Sequence, residues 1–151
     1  MRALVQRVSS ASVTAAEAPG APAQETGRIG QGLVALVGVT HDDGHAEADR
    51  LADKLYTLRV FPDDRGAMNR SCADIGAGLL VVSQFTLYAD TRRGRRPSLV
   101  DAAPPGHAEP LIDHLVARLE TAGAEVATGR FRAHMELRLV NDGPVTVLLE
   151  V

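Results

Sequence analysis

The segment GLLVVSQFTLY, Gly78 to Tyr88, restricts the fold more than any other stretch of the chain. Its first half is a continuous apolar run, which a strand carries when both of its faces are covered. LVALVGV, Leu33 to Val39, makes the same demand. Strands of this kind need a layer on each side, and that points to a sheet system covered by helices. Past Val82 the run gives way to alternation, so Ser83, Phe85 and Leu87 are predicted on one face of the strand and Gln84, Thr86 and Tyr88 on the other.

The covering elements are legible nearby. After HDDG, Leu51, Leu55 and Leu58 recur at helical spacing beside Ala48 and Ala52, which predicts a helix packed on the sheet, capped by Asp43 and ended by Phe61-Pro62. A second helix follows PPG, with Leu111, Leu115 and Leu119 in one stripe and Gly123 as its stop. Ala3 to Val8 alternates as a strand, and Ala11 to Ala16 is expected as its hairpin partner. EAPGAPAQETG reads as an exposed hairpin tip, GRIGQG as a turn, and PDDRGAMN as a turn leading into a short extended piece. AEVATG, AHMELRLV and PVTVLLEV make the last third rich in strands, and on the residues alone Gly143-Pro144 is a turn between two of them. The fold class is α/β: mixed, largely antiparallel β-sheets with two helices packed on one side, in a single domain over residues 1–151.

Composition narrows the function. With 45% hydrophobic residues among 151, the chain can bury an adequate core, but 3% aromatics and no Trp leave little for stacking a long run of bases. A net charge of −3 argues against a surface that binds nucleic acid everywhere and leaves room for a local basic patch. One cysteine, Cys72, gives no disulfide framework and fits a reducing cytoplasm; it is expected to be a small buried or half-buried thiol rather than a nucleophile. Arg7 interrupts the N-terminus where a signal peptide would be apolar, and no stretch approaches the length of a membrane span, so a soluble cytoplasmic protein is expected.

GxSxG, Walker, CxxC and HExxH motifs are all missing from the sequence. His41 and His45 fall in a loop, His107 and His114 are placed on the exposed side of the second helix, and His134 stands alone on a strand. That pattern builds no metal site, and no cofactor is implied.

What remains is RRGRR, where Arg92, Arg93, Arg95 and Arg96 crowd around one glycine just after Ser83, Gln84 and Thr86. Such a run is either a solvated loop or a contact for a polyanion. Guanidiniums this close repel one another until a counter-charge arrives, and the polar residues beside them suggest a substrate with a reacting end and a phosphate tail.

SQFTLYAD followed by the basic loop and GRRPS, and later NDGPVT, resemble the two signature segments of the D-aminoacyl-tRNA deacylases. MRALVQRVSSASV, GLVALVGVTHDD, LRVF, MN and DAAPP fall in that family's order, so the resemblance spans nearly the whole chain. It implies a deacylase-type three-layer α/β/β fold and a cytoplasmic, metal-free homodimeric hydrolase whose pocket is shared between subunits. The substrates implied are D-aminoacyl-tRNA and glycyl-tRNA(Ala). Ser83, Gln84, Phe85, Thr86, Ala133 and Met135 would form the pocket for the 3′ end, with Phe85 and Thr86 at the reacting ester. Arg92, Arg93, Arg95 and Arg96 would meet phosphates. Gly143-Pro144 would be a cis peptide that enters the partner's site as a chirality filter, braced by Arg7, for which a surface arginine on an edge strand is the other reading.

In that family the tRNA 2′-hydroxyl assists catalysis, which suits a chain with no triad; backbone N–H groups around Phe85 and Thr86 would hold the oxyanion. Two other classes fit the same residues, a small-molecule esterase with Thr86 as nucleophile and a non-catalytic RNA-binding module using the arginine loop. The chain departs from the family pattern at Arg132, where glycine is usual, and at His134, where an acidic or small polar residue is common. Arg132 therefore reshapes the pocket or adds a cation for phosphate. The hairpin tip at Pro19 to Gln24 is also longer than usual.

Overall fold

The two apolar runs become neighbouring parallel strands in the middle of the sheet. The computed structural model describes residues 1–92 and 94–151. Its elements are β1 (Arg2–Ala16), β2 (Gln24–Ile29), β3 (Gly32–Gly38), α1 (His45–Thr57), β4 (Phe61–Pro62), β5 (Met68–Arg70), α2 (Cys72–Ile75), β6 (Gly78–Ser83), α3 (Pro105–Thr121), β7 (Val126–Thr128) and β8 (His134–Glu150), with a 3-10 turn at Phe85–Tyr88. Among the described residues the main sheet runs β2-β1-β3-β6-β7, and β8 pairs with β1. β1 is antiparallel to β2, β3 and β8, whereas β3, β6 and β7 are parallel to one another.

Both faces of the central strands are covered, as their composition requires. Leu33, Ala35, Val37, Leu79 and Val81 pack with Leu51, Leu55, Leu115 and Leu119 of α1 and α3. Val34, Leu80 and Val82, one step along in the pleat, pack instead with Val8, Ala11, Val13 and Ile29. The molecule is therefore layered: helices, then β3 and β6, then the far half of β1 with β2 and β8.

Several expectations are corrected. Ala3 to Val8 and Ala11 to Ala16 are not hairpin partners; they are two halves of β1, and the second half pairs with β2 and β8. The exposed Ser9 and Ser10 break the alternation as a turn would, but the cause is a slip in register with β8. AHMELRLV and PVTVLLEV likewise form one strand, so Gly143-Pro144 interrupts β8 without ending it. Helix α1 stops at Thr57, ahead of Phe61-Pro62, which instead opens the β4–β5 hairpin.

Asp43 does not cap α1. Gly44 takes that position, with its N–H donating to Glu47 Oε2 at 2.9 Å. Asp43 is buried and accepts from the Met1 ammonium at 2.5 Å and the Thr40 N–H at 2.7 Å. His107 and His114 lie in the seam between helices rather than on a free face: His107 Nε2 donates to the Asp43 carbonyl at 2.9 Å, and His114 stacks on His45 with Nε2 2.8 Å from Asp49 Oδ1.

The expectations for α3 and Cys72 hold. α3 begins after Pro104 and is followed by Gly123 at φ +94°. Cys72 is fully buried, and burial pushes its thiol up to about 12, so it is inert at neutral pH. Among the described residues no group of three or more His, Cys, Asp and Glu could hold a metal, and no helix is long and apolar enough to cross a membrane.

Candidate active site

Parallel strands open their carboxyl ends to ligands, because the chain leaves the sheet there and the connecting loops diverge. At the carboxyl ends of β3 and β6 a hollow of about 520 Å³ lies between the sheet, the amino-terminal half of α3 and the segment from Phe131 to Met135. That volume falls in the range of small-molecule sites.

The floor is set by how β6 ends. Gln84 N–H donates to the Val37 carbonyl at 2.7 Å, the last bond of the ladder with β3. The chain then winds into the Phe85–Tyr88 turn, closed by Leu87 N–H to Gln84 O at 3.2 Å and Ala89 N–H to Thr86 O at 3.0 Å. Gly38 permits this: a Cβ there would stand 3.1 Å from both Gln84 O and Leu87 Cβ. The predicted alternation from Ser83 to Tyr88 is thus overturned, since these residues turn away from the sheet. One consequence is chemical. The N–H groups of Phe85 and Thr86, first in the turn, lie outside its ladder and remain available as donors.

The turn brings Ser83, Gln84 and Phe85 to the same hollow as Ala133 and Met135, and Phe85 stands 58% exposed at its rim. Thr86 does not line it. Its hydroxyl accepts from the Gln84 side-chain amide, and no histidine or carboxylate of the described residues bonds to it. Leu99, Ile112 and Phe131 also line the hollow and were missed from sequence, because tertiary folding alone brings these apolar residues to the polar stretch.

Among the described residues of the wall Arg132 is the one ionisable side chain. It occupies the third place of a turn closed by Ala133 N–H to Arg130 O at 3.2 Å, with φ +60°. Glycine suits that backbone, and an L-residue there costs about 1–2 kcal/mol.

Arg7, Gly143 and Pro144 lie outside this hollow in the same chain. Gln6 pairs with Thr146 and Val8 with Asn141, so residues 142–145 bulge from β8 opposite Arg7 alone. The Gly143-Pro144 bond within the bulge is cis. Arg7 Nε donates to Asp142 O at 3.1 Å and pairs with Asp142 Oδ2 at 2.9 Å, while Nη1 donates to Val60 O. Asn141 Nδ2 closes the bulge, donating to Arg7 O at 2.8 Å and Val145 O at 3.2 Å. Arg7 is therefore no free surface arginine; 11% of its side chain is exposed.

The basic loop leaves and rejoins the rim. Asp90 and Ser98 exchange backbone bonds of 2.8 and 2.9 Å, and Leu99 lines the hollow. Arg92 is spent locally on Asp90, with Nε–Oδ1 and Nη2–Oδ2 both at 2.9 Å. Arg95 and Arg96 are exposed and form no ion pair among the described residues; Arg93 lies outside the described residues.

The family model and the curated relatives agree on one family. The family model described as D-Tyr-tRNA(Tyr) deacylase matches residues 4–150. A "D-aminoacyl-tRNA deacylase" of Roseiflexus sp. (strain RS-1) is 57% identical over 99% of this chain and 93% of its own length. One of the same name from Nocardia farcinica (strain IFM 10152) is 58% identical, with 99% of each chain covered. Among solved structures, "c-Myc DNA Unwinding Element Binding Protein" superposes with a TM-score of 0.90 at 34% identity, covering 100% of this chain and 99% of that one. "Structural Analysis of a probable eukaryotic D-amino acid tRNA deacylase" shares the fold, with a TM-score of 0.85 at 14% identity and 99% and 98% coverage.

Proposed function

The chain belongs to the D-Tyr-tRNA(Tyr) deacylase family, and from that membership we infer that it hydrolyses the ester joining a D-amino acid to the terminal adenosine of tRNA. The observation that carries this reading is the hollow itself: Ser83, Gln84 and Phe85 stand at its floor, and no carboxylate or histidine of the described residues lines it. A site without a protein acid or base works by orientation and by donors aimed at developing charge. The N–H groups of Phe85 and Thr86 fill the donor role at the oxyanion, and the 2′-hydroxyl of the terminal adenosine assists the attack on the ester. Thr86, bonded to Gln84 and to no base, orients that side chain and is a poor nucleophile.

Chirality is read by exclusion. D- and L-esters carry the same groups, so attraction separates them weakly, whereas a rigid backbone in the path of the L side chain rejects it. Gly143-Pro144 is that backbone. In the family this motif enters the partner's site, and its place outside the hollow of its own chain supports the same arrangement here, a homodimer whose pocket is shared between subunits. Glycine has no side chain to exclude, so glycyl-tRNA(Ala) is a second substrate. Arg95 and Arg96 meet phosphates of the tRNA, while Arg92, bonded to Asp90, holds the base of their loop, and the protein works in the cytoplasm.

The test is parallel incubation with D-tyrosyl-tRNA, L-tyrosyl-tRNA and a D-tyrosyl ester on 3′-terminal 2′-deoxyadenosine. Release from the D-ester, sparing of the L-ester and slow release from the deoxy substrate are expected. Equal cleavage of both enantiomers, or of simple esters without tRNA, overturns the reading.

A further inference from the structure

We propose that Arg132 binds a backbone phosphodiester of the acylated 3′ end at the mouth of the hollow, an inference that rests on the deacylase reading above. Four observations carry it. Arg132 is the one charged side chain among the described residues of the wall. It is exposed, and it makes no hydrogen bond or ion pair with any described side chain, so its donors are unspent. Asp113 and Glu120 lie in the adjoining hollow beyond Phe131 and are not paired with it. Its backbone is left-handed at φ +60°, where glycine would fold at lower cost, and side chains held in such places are over-represented where they serve a ligand.

The substrate's chemistry selects the partner. An aminoacyl ester presents a neutral carbonyl, neutral hydroxyls and an α-ammonium, which a guanidinium repels. Its anions are the phosphodiesters and, on some amino acids, a side-chain carboxylate. The buried end of the hollow is apolar, with Val37 1% and Ile112 9% exposed, whereas Arg132 lines its wall and is exposed to solvent, within reach of a polymer outside. That placement assigns Arg132 to the nucleic acid and turns the ammonium toward the neutral wall. A guanidinium can grip two phosphate oxygens at once, a geometry a lysine does not reproduce.

The experiment compares wild type with Arg132→Gln, Arg132→Gly and Arg132→Lys on D-tyrosyl-tRNA, D-aspartyl-tRNA and D-tyrosyl-adenosine, which has no phosphate. For both tRNAs, Gln and Gly should raise KM about tenfold, the size of one charge-assisted contact, with kcat held within about twofold. Lys should retain part of the binding. On D-tyrosyl-adenosine all four proteins should behave alike. The slope of log affinity against log salt, measured by anisotropy with a trinucleotide bearing amide-linked D-tyrosine, should shrink by about 0.7 in Arg132→Gln. Arg132→Gly should melt at or above wild type, because the turn suits glycine, so its loss of affinity is not unfolding. A loss confined to D-aspartyl-tRNA, an equal loss on the adenosine ester, or an unchanged salt slope overturns the assignment. If wild type cleaves no D-aminoacyl-tRNA, the deacylase reading falls, and the trinucleotide titration still decides whether Arg132 holds a phosphodiester.

Discussion

Asp90 sits where the turn of the site passes into the basic loop. The side-chain bonds of Arg92, and then its backbone N–H, hold the Asp90 carboxyl down at about 2. A depressed carboxylate contributes stability that is complete above the ordinary value of about 3.9 and lost as pH falls through the folded value. The clasp at the base of the loop should therefore survive mild acid and open as pH falls toward 2. Carbon-detected NMR should place the Asp90 midpoint near 2, and Arg92→Ala, which removes the guanidinium but keeps the backbone N–H, should raise it part of the way toward the ordinary carboxylate value; a wild-type midpoint at the ordinary value would mean that the pair does not persist in solution. This pairing was invisible in the sequence, where RRGRR reads as one block of charge. The identities of Ser83, Gln84, Phe85, Ala133 and Met135 as neighbours were legible through the signature segments, but the isolation of Arg132 in a neutral wall was not, since Asp113 and Glu120 stand close in space without lining that wall.

Among the elements, the pairing of β1 with β8 governs where the outer bulge stands. Arg7 faces residues 142–145 alone and ties the bulge to the β4–β5 hairpin through the Val60 carbonyl. Arg7→Ala would leave the Val60 and Asp142 carbonyls without this donor, at a cost of about 1–3 kcal/mol. Hydrogen exchange from Asn141 to Val145 should rise while the helices stay protected, and Arg7→Lys should restore little, because one ammonium cannot span the separate acceptors that the guanidinium reaches. Unchanged exchange in Arg7→Ala would show that Asn141 alone fixes the bulge. Helices α1 and α3 were legible because their leucines repeat with the period of a helix. The long strands were not, because a bulge and a turn interrupt alternation in the same way, and only pairing across the sheet tells them apart. The end of β6 was hidden for a related reason: Phe85, Leu87 and Tyr88 keep the composition of a strand after its partner has run out.

At the scale of the molecule, the hollow draws its wall from both cores. Val37, Ala103 and Ile112 belong to the core shared with the helices, and Met135 packs against the second core behind β3 and β6. The strands divide the two cores by alternate side chains, so Leu79 serves one and Leu80 the other, each fully buried. Removing Leu80 empties space against Val13, Ile29 and Val34 and should cost about 2–5 kcal/mol. Because Leu80 shares its backbone with Leu79 and Val81, the loss cannot stay in one layer. Leu80→Ala should lower the midpoint of a single transition seen alike by circular dichroism and by Tyr fluorescence, and it should raise KM by letting Met135 shift at the pocket wall. Separate transitions for the two probes would mean that the helical and outer layers are independent folding units, and the site could not then depend on both.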